Sequence, residues 1–142
     1  MSKNVKFASG LAAAPVGFAM LNVSLPLPAA EPGPTAASSQ IAAGAAAYVE
    51  RCASCHGELL AGATHAPSLN GDAFLTSWTG KPARVLYSRV ISTMPLTDPG
   101  SLEPNIALDI TIFLLSVNKQ SIPPAGYQSA DELNGVPIKR AD

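Results

Sequence analysis

Charge is scarce in this sequence: Asp, Glu, Lys and Arg make up 13% of 142 residues, roughly half of the ~25% usual in soluble domains. There is no basic run, and the aromatic residues do not interleave with Lys or Arg, so the footprint of a nucleic-acid binder is missing. No strand-like alternation is convincing and no internal repeat is visible, which leaves an all-α reading. Cysteine and histidine are each limited to two residues, so any thiol or metal chemistry rests on very few side chains. Proline (13) and glycine (11) are plentiful instead, and much of the chain should be loop. The length suits one domain.

The N-terminus has its own layout. Lys3 and Lys6 form a positive start, Phe7 to Leu27 is apolar apart from a few small polar residues, and alanines follow at 29, 30, 36 and 37. Basic, then apolar, then small is the order of a secretory signal peptide. We read residues 1–30 as that signal, with a cut between 30 and 37 and export to the periplasm. A retained anchor is the alternative, since about 20 apolar residues span a bilayer; Gly10, Pro15, Gly17 and Pro26 interrupt the stretch, and no basic cluster follows it. Removing the segment leaves 7 basic and 10 acidic side chains, a net charge of −3.

Residues 31–38 (EPGPTAAS) read as a linker to a domain over 39–118. Ser39 can cap a helix from about Gln40 to Cys52, with Ile41, Ala45, Tyr48 and Cys52 on one face. A loop from Gly57 to Gly71 follows. Asp72 can cap a short helix to Trp78, and Pro82 suits the first turn of another to about Ser92. Residues 93–100 (TMPLTDPG) must be extended or turning. The last helix, about Pro104 to Val117, is apolar on nearly every side, which makes it either central to the core or partly covered by a partner. Residues 119–142 form a tail without helical period.

Both cysteines lie in one stretch, ERCASCH, residues 50–56. Cys52 and Cys55 could form a redox dithiol, but that motif normally opens a helix in a βαβ setting. A structural disulfide would close a tiny loop and stabilise little. A zinc site would need Cys52, Cys55, His56 and His65 together, and the adjacency of Cys55 and His56 is awkward for one tetrahedron. The remaining reading is covalent haem attachment: each thiol adds across one porphyrin vinyl group, and His56 reaches the iron from one side. A sixth ligand comes down to few candidates. Beyond the signal segment Met94 is the only methionine, and it lies at a helix-to-loop transition without periodic partners. His65 is the rival, nine residues after His56 on the attachment side, and an open position is the third option. With His56 and Met94 both bound, the soft thioether would raise the potential relative to bis-His. Small molecules would have no free site, which points to electron transfer.

Taken together, GAAAYVERCASCHG (44–57), APSLNG (66–71), TMP (93–95) and PGSLEPNIALDITIFLLSVN (99–118) resemble the class I c-type cytochromes, over about residues 40–117. The resemblance implies an all-α cytochrome c fold of about four to five helices, with long loops around one covalently bound haem c. The helix ending at Cys52 would cross the helix containing Phe113, with Gly44 and Tyr48 at the contact. The Pro67 carbonyl would orient His56, and Trp78, or with it Tyr87, would hold haem propionates. Arg84 and Arg89 could neutralise the same groups. Glu103 departs from the pattern, since a Ser, Thr or Asp cap is expected before Pro104.

Within this family the stretches PSLNGDAFLTSW, MPLTDPGSLEP and PPAGYQSADELNGVPI resemble single-haem cytochromes serving pyrroloquinoline quinone dehydrogenases. That implies a periplasmic carrier taking electrons from such a dehydrogenase towards a terminal oxidase, not an enzyme in itself. Haem subunits of flavin or molybdenum dehydrogenases look alike at this level. The low charge and long tail suggest a dedicated subunit over a free shuttle. A haem enzyme or gas sensor with a labile sixth ligand is the alternative.

Overall fold

The computed structural model describes residues 33–140, and the expected signal peptide lies outside the described residues. Among them are five α-helices and a 3₁₀ helix, with isolated bridges in place of strands. The all-α expectation is met. No described helix is long and apolar enough to cross a membrane.

Helix α1 spans Ala36–Arg51, a turn longer at its start than Ser39 as a cap predicts. Thr35 is the cap instead, its Oγ1 accepting from the Ser38 amide at 3.1 Å. The extra turn is held from far away in sequence: Ala37 is buried and its amide donates to the Pro124 carbonyl at 3.1 Å. The linker therefore stops short of the expected residue 38. The short α2, Ala53–His56, follows Cys52 directly. A loop leads to α3, Gly71–Trp78, where Asn70 holds the cap position and Asp72 lies in the first turn. Helix α4, Ala83–Thr93, follows Pro82, and Met94 closes it.

Helix α5, Pro104–Val117, begins with proline at the first turn and Glu103 in the cap position. A proline amide needs no acceptor, so one of the donors a cap would satisfy is already gone. Ala107, Leu108, Ile110, Thr111, Ile112, Leu114 and Leu115 are all buried, and the buried Thr111 hydroxyl donates to the Ala107 carbonyl one turn back. Of the two roles open to so apolar a helix, the first holds: α5 is the centre of the core. Helix α1 makes its main contact there, and α4 lies against it as well. Gly44 marks the crossing, because a Cβ on it would overlap the Asp109 carbonyl and come within 2.8 Å of Phe113 Cβ. The Tyr48 and Phe113 rings meet beside it at 5.5 Å.

The tail departs most from expectation. It includes a 3₁₀ helix, Ala130–Gly135, opened by a reciprocal Ser129–Glu132 cap. Tyr127, Leu133 and Ile138 are buried in the common core.

Candidate functional site

Helix α1 delivers Cys52 at its C-terminal end, and one turn later α2 places His56 in the interior at 8% exposure. Cys52 is half-buried and Cys55 exposed, and both thiols are free. The loop after them is heavily tied. The Tyr48 hydroxyl donates to the Gly57 carbonyl at 2.7 Å. Asn70 Nδ2 donates to Leu59, and Ser68 Oγ lies 3.1 Å from the Leu60 carbonyl. Asn118, at the end of α5, accepts from the Gly71 amide and donates to the Leu69 carbonyl. Gly62 permits the fold of this loop, since it has φ +78° and a side chain there would strike Ala66, Pro67 and Ser68.

These ties bring the Pro67 carbonyl to 2.8 Å from His56 Nδ1. A carbonyl only accepts, so Nδ1 carries the proton and Nε2 keeps its lone pair free to ligate. Such a bond also fixes the plane of the ring. Burial, with Cys55 nearby as the smaller cause, pushes the Cys52 thiol up to about 11. A redox dithiol needs the opposite, because the thiolate is the nucleophile. Among the described residues no three His, Cys, Asp or Glu side chains gather to hold a metal ion, so the tetrahedral zinc arrangement does not assemble. Burial, and secondarily Cys52, likewise raises the Tyr48 phenol to about 12, which keeps it a donor at neutral pH.

Cys52, Cys55, His56 and Pro67 all line one cavity of about 730 Å³, within the ~300–1,000 Å³ usual for bound organic groups. Trp78, Met94 and Leu96 contribute from α3, α4 and the loop beyond, and Ile110 and Leu114 from α5. His65 lines it too, but as an exposed residue on the Pro67 loop, whereas Met94 is half-buried at the end of α4. The carboxylate candidates separate. Arg89 lines the cavity, while Arg84 lies over the Tyr87 ring at 4.9 Å and bonds Ser88. Tyr87 is buried away from the lining, its hydroxyl 3.5 Å from the Pro104 carbonyl. Arg51, absent from the sequence-derived candidates, joins Arg89 in the wall. Its position at the end of α1, next to Cys52, is the signal that could have found it. Two thiols, one imidazole with a free nitrogen, one thioether and an apolar wall with two arginines fit a covalently attached porphyrin bearing carboxylates.

Residues 41–105 match the family described as Cytochrome c, and the helical arrangement is that of the cytochrome c fold. The match implies covalently bound haem c and supports electron transfer. Among solved structures, the chain is similar to one in the sulfane dehydrogenase SoxCD from Paracoccus pantotrophus, with a TM-score of 0.55 and 28% identity. That likeness covers 69% of this chain and 52% of the other, so the chain spans about half the length of that relative. A search of curated proteins gives no significant match.

Proposed function

We propose that this chain is an exported, single-haem c-type cytochrome that carries electrons from a periplasmic dehydrogenase towards a terminal oxidase and catalyses no substrate reaction itself. The observation that carries the reading is the His56 imidazole, fixed by Pro67 and opening on a cavity shared with Cys52, Cys55 and Met94. A bound haem supplies the one-electron iron couple. Cys52 and Cys55 would hold that haem through thioether links, His56 Nε2 and Met94 Sδ would ligate its iron, and Trp78, Arg89 and Arg51, in the same cavity wall, would bind its carboxylates. The surrounding apolar side chains limit water, and burial of this kind tunes the potential of a haem. The similarity to a sulfane dehydrogenase chain supports a dehydrogenase as the electron donor. A pyrroloquinoline quinone cofactor in that donor rests on sequence resemblance alone.

Optical spectra of the exported protein, oxidised and reduced, test the ligation beside a Met94→Ala variant. Low-spin reduced bands and a weak sulfur-to-iron band that vanishes in the variant are expected. A high-spin spectrum, a variant indistinguishable from the parent, or carbon monoxide binding to the reduced parent would move the reading to a haem enzyme or gas sensor. A colourless exported protein would end the haem reading altogether.

A further inference from the structure

Residues 119–140 lie outside the segment that matches the cytochrome c family, yet they touch nearly every part of the domain. From the end of α5 the chain runs to the start of α1, where Gln40 and Tyr127 exchange two hydrogen bonds of 2.9 and 3.0 Å. It then turns through the 3₁₀ helix against α4. The next stretch pairs with the corner between α3 and α4. The Gly80 amide donates to Ile138, the Ile138 amide to Lys81, and the Ala83 amide to Val136, at 2.9, 2.9 and 2.8 Å. Ile138 is 1% exposed, so water does not compete for this pairing. At its end the segment closes on its own beginning through two Gln120–Lys139 bonds of 2.8 Å. Arg140 then reaches Asp72 at 2.6 Å and Thr76 at 3.2 Å on α3.

Helix α3 is where this matters. Alone among the longer helices, it makes no extensive contact with another described helix. Its last residue, Trp78, lines the cavity, and the corner that follows contains Gly80 at φ +82°. A short helix followed by a permissive corner does not hold its own orientation. Asn118 ties its beginning, and Phe74, buried in the core, anchors its middle. The end that carries Trp78 is fixed by the bonds from Val136 and Ile138, with Lys81 donating to the Ser77 carbonyl beneath them.

We infer that residues 119–140 are a clamp that fixes α3, and with it Trp78, as a wall of the cavity. The segment is not an arm held out for a partner, because its apolar side chains are spent inside the domain. The pairing is with backbone groups, so the clamp stands whatever fills the cavity, and its failure is separable from failure of the haem reading.

Trp78 is the single tryptophan, which makes it a reporter without labelling. The parent protein is compared with Ile138→Ala, at the corner, and Gln40→Ala, at the opposite end of the clamp. Trp78 emission, the reduction midpoint and hydrogen exchange at the Gly80 and Ala83 amides are followed together. In Ile138→Ala the emission should rise and shift to the red, the midpoint should move, and both amides should lose protection out of proportion to any fall in melting temperature. Gln40→Ala should lower the melting temperature with Trp78 emission and midpoint unchanged. Equal effects of the two variants on Trp78 would overturn the clamp and leave a merely stabilising tail. If Ile138→Ala does not fold, exchange in the parent protein under mild urea decides. Ile138 opening in one step with the Thr79 amide, which donates to Leu75 at the end of α3, supports the clamp, and Ile138 opening while Thr79 stays protected refutes it.

Discussion

Replacing Gly44 by alanine sets two well-known effects against each other. Within a helix, Gly→Ala is ordinarily stabilising by ~1 kcal/mol, because alanine loses less backbone freedom. At Gly44 the new Cβ would overlap the Asp109 carbonyl oxygen, 2.5 Å from its carbon and 2.8 Å from Phe113 Cβ. Those are backbone and stem atoms of α5, which cannot swing aside as the tip of a long side chain can. The helices must therefore part, and Tyr48, 1% exposed and in ring contact with Phe113, loses its packing. Overpacking typically costs 1–3 kcal/mol, and a clash with rigid backbone belongs at or beyond the upper end, so the net loss is about 2 kcal/mol. For a domain of this size that lowers the melting temperature by roughly 8–16 °C. Thermal unfolding of the protein, followed by circular dichroism, measures it. Ala46→Gly is the control, since Ala46 is exposed on the same helix and should lose only the propensity term of ~1 kcal/mol. A Gly44→Ala protein as stable as the parent, or more so, would refute the close crossing of α1 and α5.

Two further substitutions probe the site's supports. Asn118→Ala removes the acceptor of the Gly71 amide and the donor to the Leu69 and Leu114 carbonyls. At ~1 kcal/mol for each bond, urea unfolding should show a loss of about 3 kcal/mol. Arg89→Ala should lower the reduction midpoint, because a cation in the cavity wall favours the reduced, less positive state. Arg84→Ala should leave the midpoint in place, since that guanidinium is engaged with Tyr87 and Ser88. Potentiometric titration of both variants checks the pair, and equal shifts would count against the separation of the two arginines.

What was legible in the sequence is what local chemistry determines. CASCH names its own possibilities through spacing, and α3, α4 and α5 fall within a few residues of their expected ranges because proline and apolar periodicity act over one or two turns. The start of α1 is not legible locally because its decisive partner, the Pro124 carbonyl, is far away in the chain. Ser39 offered a plausible local cap and nothing nearby argued against it. Arg84 and Arg89 looked equivalent as a pair on one helix. Only the positions of Tyr87 and the cavity separate them. The bonds from 136–138 to the α3–α4 corner use backbone groups, which every sequence possesses, so no residue type announces them.

Part of the resemblance to cytochromes of quinone-dependent dehydrogenases lies in the tail sequence PPAGYQSADELNGVPI. In the structure these residues meet the protein itself: Pro124 receives the Ala37 amide, Tyr127 pairs with Gln40, and Leu133 and Ile138 are buried. Residues spent on the fold are constrained by the fold, and a likeness in them reports a common way of closing the domain. The same tail would serve a cytochrome whose donor uses any cofactor. Evidence about the donor therefore has to come from what remains outside, such as Leu59 and Leu96, exposed at 80% and 71%. Of these two, Leu96 lines the cavity beside Met94.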